Sequence, residues 1–155
     1  AKRRYLDPFT PVIARAEVRR ARRDMNQALL NRFNIAFDLN FHGSQLKDYP
    51  HIAEYGRRIK ALRERYAAEL WNAEFVERQG AQVNGPDLSY SVFAGRNGKR
   101  AVVVVNMGTE RASKAEVTLP GASAMAYASP EDPAQKTFGG SVEIAPQSAV
   151  VIFEK

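Results

Sequence analysis

Asn34, Asp38 and Asn40 alternate with the large apolar residues Phe33, Ile35, Phe37, Leu39 and Phe41, and His42 follows at the end of the run. That spacing has the period of a β-strand, with one apolar face that must be covered and one face bearing a carboxylate between two amides. A polar face on an otherwise apolar strand can line a site, because burying an unpaired carboxylate costs heavily. The plainer alternative is a face that is solvated or hydrogen-bonded to neighbouring strands. Asp38 is therefore the leading candidate for chemistry, with Asn40 and His42 beside it.

Few other residues compete. His42 and His51 are the two histidines, and they do not have the spacing of metal ligands on a helix. The chain has no cysteine, which excludes disulfides, thiolate catalysis and cysteine-ligated metals. It also lacks a glycine-rich phosphate loop and a nucleophile elbow, so neither a metal nor a cofactor is expected. Trp71 and Phe75 have the faces to stack on a sugar ring, but aromatic residues after a helix more often close it over a core, and the core reading is preferred. Glu69, Glu74 and Glu77 lie close along the chain and read as solvated.

The net charge is +6, from 23 Lys and Arg against 17 Asp and Glu, with much of the excess before Asp24. Such a segment can neutralise phosphates. No interleaved aromatics or DNA-binding motif accompany it, so arginines pairing with acids elsewhere are favoured over nucleic acid. No apolar run approaches the roughly 20 residues that span a bilayer, so no membrane is expected. The basic start Ala1-Lys2-Arg3-Arg4-Tyr5 has no apolar stretch behind it and does not read as an intact signal peptide. Bacterial cytoplasm and secretion both stay open.

The elements that must position these residues follow from periodicity. The composition predicts a helix from Ala14 to Arg32, with Val18, Ala21, Met25, Ala28 and Leu29 as its apolar stripe. The strand from Phe33 to Phe41 comes next, ending in a His42-Gly43-Ser44 turn. A second helix, with Pro50 in its first turn, carries Ile52, Tyr55, Ile59, Leu62, Tyr66 and Leu70 on one face and ends near Trp71. From about Pro86 the chain turns to short strands. Leu88 to Phe93 passes through Gly95-Arg96-Asn97-Gly98 into Ala101 to Met107, a hairpin whose valine-rich second strand reads as buried on both faces. Further strands fall at Glu116 to Leu119, Ala124 to Tyr127, Ser141 to Ile144 and Ala149 to Phe153. The expected fold class is α+β: residues 1–80 form a helix–strand–helix part, and residues 81–155 an antiparallel β-sandwich.

The stretch Arg57 to Phe75, with its Leu62-Arg63 pair, resembles the final helix of a (β/α)8-barrel glycoside hydrolase running into a C-terminal β-sandwich. Tyr90-Ser91-Val92-Phe93, the valine-rich strand Ala101 to Met107 and the closing strand Pro146 to Phe153 are similar to strands of that sandwich. The likeness covers about two thirds of the chain and is architectural more than motif-specific. It leans toward large bacterial glycosidase-like proteins rather than α-amylases. It implies that Phe33 to Phe41 is the last barrel strand and that Asp38, Asn40 and His42 lie at its carboxyl end, where such barrels keep their active sites.

A complete barrel needs roughly 250 residues, more than this chain holds. Glycoside hydrolysis usually needs two carboxylates, and only Asp38 lies on the single strand predicted. The resemblance thus implies the C-terminal part or a subunit of a glycoside hydrolase, with Asp38, Asn40 and His42 contacting sugar hydroxyls. The catalytic acid and nucleophile or base would lie elsewhere, so no catalytic residue is assigned and the isolated chain is expected to be inactive. The partner is then the remainder of the barrel, on another chain or a missing segment, in a hetero-oligomer in the first case. The alternative is a non-catalytic carbohydrate-binding or assembly subunit; a basic nucleic-acid-binding domain ranks third. A lone strand with one apolar face also implies a covering surface.

Overall fold

In the computed structural model, residues 12–38 (Asp38 by its backbone alone) and 45–155 are described. The first element is a strand, β1 (Ile13–Glu17), followed by a 3-10 turn over Val18–Arg20, helix α1 (Ala21–Asn31) and strand β2 (Asn34–Asp38). β1 and β2 pair in parallel, with Ile13 opposite Asn34 and Glu17 opposite Asp38. This corrects the helix predicted from Ala14: its first four residues belong to a strand. Ala, Arg and Glu favour a helix locally, but Ala14 and Ala16 turn toward the helical layer while Arg15 and Glu17 stay exposed, and pairing with β2 overrides the propensity. β2 is therefore not a lone strand.

The helix ends follow local chemistry. Arg32 takes a left-handed conformation at φ 53°, and the Phe33 N–H returns to the Ala28 carbonyl at 2.8 Å, which turns the chain out of α1 into β2. Pro50 opens α2 (Pro50–Arg65), where its missing N–H would have no helical partner. The predicted single helix to Leu70 is broken at Tyr66, whose φ of −116° separates α2 from the one-turn α3 (Ala67–Leu70). The Tyr66 hydroxyl bonds the Pro133 carbonyl at 2.6 Å, and its ring packs on Phe153, so tertiary contacts hold the residue where the helix stops.

The remaining strands are β3 (Glu74–Phe75), β4 (Gln82–Asn84), β5 (Leu88–Ala94), β6 (Arg100–Asn106), β7 (Ser113–Thr118), β8 (Met125–Ala128), β9 (Lys136–Thr137), β10 (Ser141–Ile144) and β11 (Ala149–Glu154). They form two antiparallel sheets, one ordered β3-β5-β6-β11-β8-β9 and the other β10-β7-β4. The predicted hairpin is present as β5–β6, with Ala94 opposite Arg100. β6 is central in the larger sheet, and its valines face two different cores. Val102 and Val104 pack with Val117 and Ile144 between the sheets. Val103 and Val105 join Met25, Leu29, Ile59 and Leu62 beneath the helices. The chain is thus α+β, with a three-stranded sheet, a six-stranded sheet and a helical layer stacked in that order.

Candidate functional site

The parallel pair β1–β2 sets the geometry of the predicted site. Its odd and even positions divide cleanly. Ala14, Ala16, Ile35 and Phe37 share register rows, and Ala16, Ile35 and Phe37 pack with the helical core. Ile13, Arg15 and Glu17 are exposed and stand in register with Asn34, Ala36 and Asp38. The carboxyl ends of both strands therefore bring two acidic residues side by side, Glu17 and Asp38, on strands about 4.8 Å apart. Sequence reasoning placed Asp38 there and missed Glu17, which it had assigned to a helix. The detectable signal was the short alternation of small and charged residues from Ala14 to Glu17. Asn40 and His42 lie outside the described residues.

Glu17 is held in place by its neighbours. The Arg20 guanidinium pairs with its carboxylate at 3.0 Å, and its backbone N–H donates to the Asp24 carboxylate at 3.1 Å. Both contacts come from the first residues after β1, so the turn into α1 fixes the end of the strand. An exposed carboxylate paired this way is available to hydroxyl donors, while Arg20 beside it can accept none and only donate.

A polar latch fixes α1 against the rest of the molecule. Asn26, fully buried, donates from Nδ2 to the Gln147 carbonyl at 2.7 Å and accepts from the Tyr55 hydroxyl on its Oδ1. Arg22 lies over the Tyr55 ring at 3.9 Å, donates to the same Gln147 carbonyl at 2.8 Å and to the Ser148 hydroxyl at 3.0 Å, and pairs with Glu131. Burial, reinforced by the Glu131 charge, pushes the Tyr55 hydroxyl above its ordinary range and keeps it a donor. Arg32 adds bonds to the Trp71 and Ala73 carbonyls. Arg20, Arg22 and Arg32 thus all serve the fold's own contacts.

Beside β2 lies an apolar groove of about 500 Å³ between that strand and the helices. Ile35 and Phe37 form one wall; Ala53, Gly56, Ala67 and Trp71 form the other. Gly56 matters here because a Cβ at that position would sit 3.0 Å from the Phe37 ring, so its absence lets α2 close on the strand. Trp71, expected to cap a core, is instead 39% exposed at the groove, with the Arg63 guanidinium 5.2 Å from its ring. Phe75 does pack inward, edge-on to Phe93 at 5.7 Å. Among the described residues, β1 and β2 each pair on one edge alone.

No protein-family model matches the chain, and no curated protein matches it in sequence. Solved structures do match in fold. One is Abp, a GH27 β-L-arabinopyranosidase from Geobacillus stearothermophilus, at a TM-score of 0.53 and 14% identity over 86% of this chain. A variant of that enzyme in complex with arabinose matches at 0.52 and 14% over 84%. In each case the likeness spans 29% of the enzyme's length. The fold of most of this chain is therefore one that GH27 glycoside hydrolases contain within a much longer polypeptide.

Proposed function

We propose that the chain is the C-terminal portion of a glycoside hydrolase. Residues 1–80 supply the last strand–helix units of a TIM-type barrel, and residues 81–155 supply the β-sandwich that braces it. The observation that carries this reading is the succession β1–α1–β2–α2, with parallel strands whose outer edges have no described partner. Parallel sheets are stable when continued and covered on both faces, which two strands and two helices cannot achieve alone. The fold shared with a GH27 enzyme supports the same conclusion.

The remainder of the barrel, on another polypeptide or another segment of the same one, then occupies the groove beside β2. A strand adds in parallel to the edge of β2, and its helix rests on Phe37, Gly56 and Trp71. The carboxyl ends of the strands face the sugar. There Asp38, Asn40 and His42 contact hydroxyls, and Glu17 joins them through its register with Asp38. The acid and the nucleophile or base belong to strands outside this chain, so the chain alone does not hydrolyse glycosides.

The test is the intact mass of the native complex, the N-terminal sequence of each polypeptide in it, and glycosidase assays of chain and complex. The expected result is activity confined to a species that also carries the rest of a barrel. Ala53→Trp, which fills the groove, should abolish association while leaving the chain folded. Robust turnover by the 17.3 kDa chain alone would contradict the assignment of the acids elsewhere.

A further inference from the structure

Where α1 meets the edge of the six-stranded sheet, a second cleft of about 330 Å³ opens at the opposite end of α1 from Glu17. Its walls differ from those of the apolar groove. α1 contributes Leu30 and Asn31, β3 contributes Phe75, β5 contributes Ser89 and Ser91, and the link after β3 contributes Glu77 and Arg78.

The two serines are the informative residues. Along β5, Val92 belongs to the core between the sheets and Phe93 to the core beneath the helices. Ser89 and Ser91 therefore occupy the helix-facing row with Phe93, in register with Val105 and Val103. An apolar residue would suit that row. Ser91 is only 4% exposed and Ser89 is half-buried, and neither hydroxyl makes a hydrogen bond among the described residues, so what they reach is the cleft itself. Both hydroxyls line the cleft, so a molecule in the cleft can satisfy them.

Three further features define that molecule. Asn31 spends its amide N–H on the Gln27 carbonyl at 2.9 Å, leaving its Oδ1 as an acceptor at the rim. Arg78 lies over the Tyr90 ring at 5.1 Å and has no carboxylate partner among the described residues. A bulge, in which Val76 and Glu77 together face Val92, re-aims the chain there and places Glu77 and Arg78 at the lip. The two opposite charges offset each other and disfavour an ionic ligand. Leu30 and Phe75 give the cleft apolar surface between its donors and acceptors. Hydroxyl, guanidinium and amide groups around an apolar patch suit a ring with polar edges and a C–H face. Small-molecule sites also favour boundaries between packed units.

We propose that this cleft binds a neutral monosaccharide unit, with Ser89, Ser91, Asn31 and Arg78 on its hydroxyls and Leu30 and Phe75 against its apolar face. The site uses none of the residues assigned to the barrel mouth, so it stands or falls separately from the glycosidase reading.

The test is a chemical-shift titration of the 155-residue chain with L-arabinose, D-glucose and, as a control, sulfate. Sugar is taken to about 0.1 M, enough to reveal millimolar binding. Saturable shifts of the backbone amides of Asn31, Arg78 and Ser91 are expected with at least one sugar. Ser91→Ala should weaken that binding about threefold to tenfold, and Arg78→Ala by about tenfold or more. Arg78 is exposed, so its variant keeps the test valid if Ser91→Ala fails to fold. No saturable shift in the cleft with either sugar, binding unchanged in both variants, or the same shifts with sulfate in place of sugar would each overturn the proposal.

Discussion

The two parallel strands and the central strands of the larger sheet are built from similar residues but end in opposite conditions. From Ala101 to Asn106 every residue of β6 is essentially inaccessible, because antiparallel neighbours flank it and a packed layer covers each face. Among the described residues, helices cover β1 and β2 on one face alone. Ile13 is 65% exposed, and Ile35 and Phe37 are half-buried beside an open groove. An antiparallel sandwich can complete its hydrogen bonds and its core within 75 residues, whereas a parallel strand–helix unit depends on further units of the same kind. Among the described residues, β6 has a neighbour on each edge and a layer on each face, whereas β1 and β2 each pair on one edge alone.

That contrast predicts a gradient of mutational cost. Phe153→Ala, at a buried ring 4.4 Å from Tyr66, should lower stability by about 3–5 kcal/mol in urea unfolding. Phe37→Ala, beside the groove, should cost clearly less, and an equal loss would break the comparison. Tyr55→Phe comes next. It removes the donor from the buried Asn26 oxygen and should cost about 1–3 kcal/mol.

A smaller, pH-dependent effect marks the rim of the sandwich. Arg100 bonds Glu154 through Nε at 2.9 Å and Nη2 at 3.1 Å. The hydrogen bond from that guanidinium, opposed by burial, holds the Glu154 carboxyl below its ordinary range. A depressed folded-state value means that the contribution is fully present above the unfolded value of about 4.5 and fades as pH falls through the folded one. Glu154→Gln should cost at most about 1 kcal/mol at neutral pH and flatten the acid limb of a stability-against-pH curve. The smallest effect sharpens the contrast most. Ile13→Thr should change the stability of the isolated chain by no more than about 0.5 kcal/mol, as its exposure requires. If the rest of a barrel covers that strand, the same substitution should weaken assembly.

Elements whose pattern was reinforced by their neighbours were legible in the sequence. The valine run of β6, its hairpin with β5 and the closing strand β11 carry β-branched residues that fit a doubly covered sheet, and they lie within a residue or two of the expected positions. β1 was hidden because Ala-Arg-Ala-Glu is locally helical and becomes a strand through β2. The two- and three-residue strands β3 and β4 carry too short a pattern to register. The break at Tyr66 came from contacts with Pro133 and Phe153, some 67 and 87 residues away, which no local pattern encodes. Alternation alone predicted a strand through Asp38, and β2 ends at that residue. Its register partner Glu17 required the three-dimensional pairing, as did the polar latch around Asn26, which sits within a helix otherwise read by its apolar stripe.

The latch has a consequence for how the chain is made. Asn26 and Gln147 are 121 residues apart in sequence. At ribosomal rates of about 5–20 residues per second, α1 emerges roughly 6–24 s before the carbonyl that both Arg22 and Asn26 require. Throughout that interval the helix displays an apolar stripe and an unmet amide with no sandwich to receive them. The α1 segment is therefore a stretch that needs a chaperone's cover until the Gln147 carbonyl has been made and can meet it.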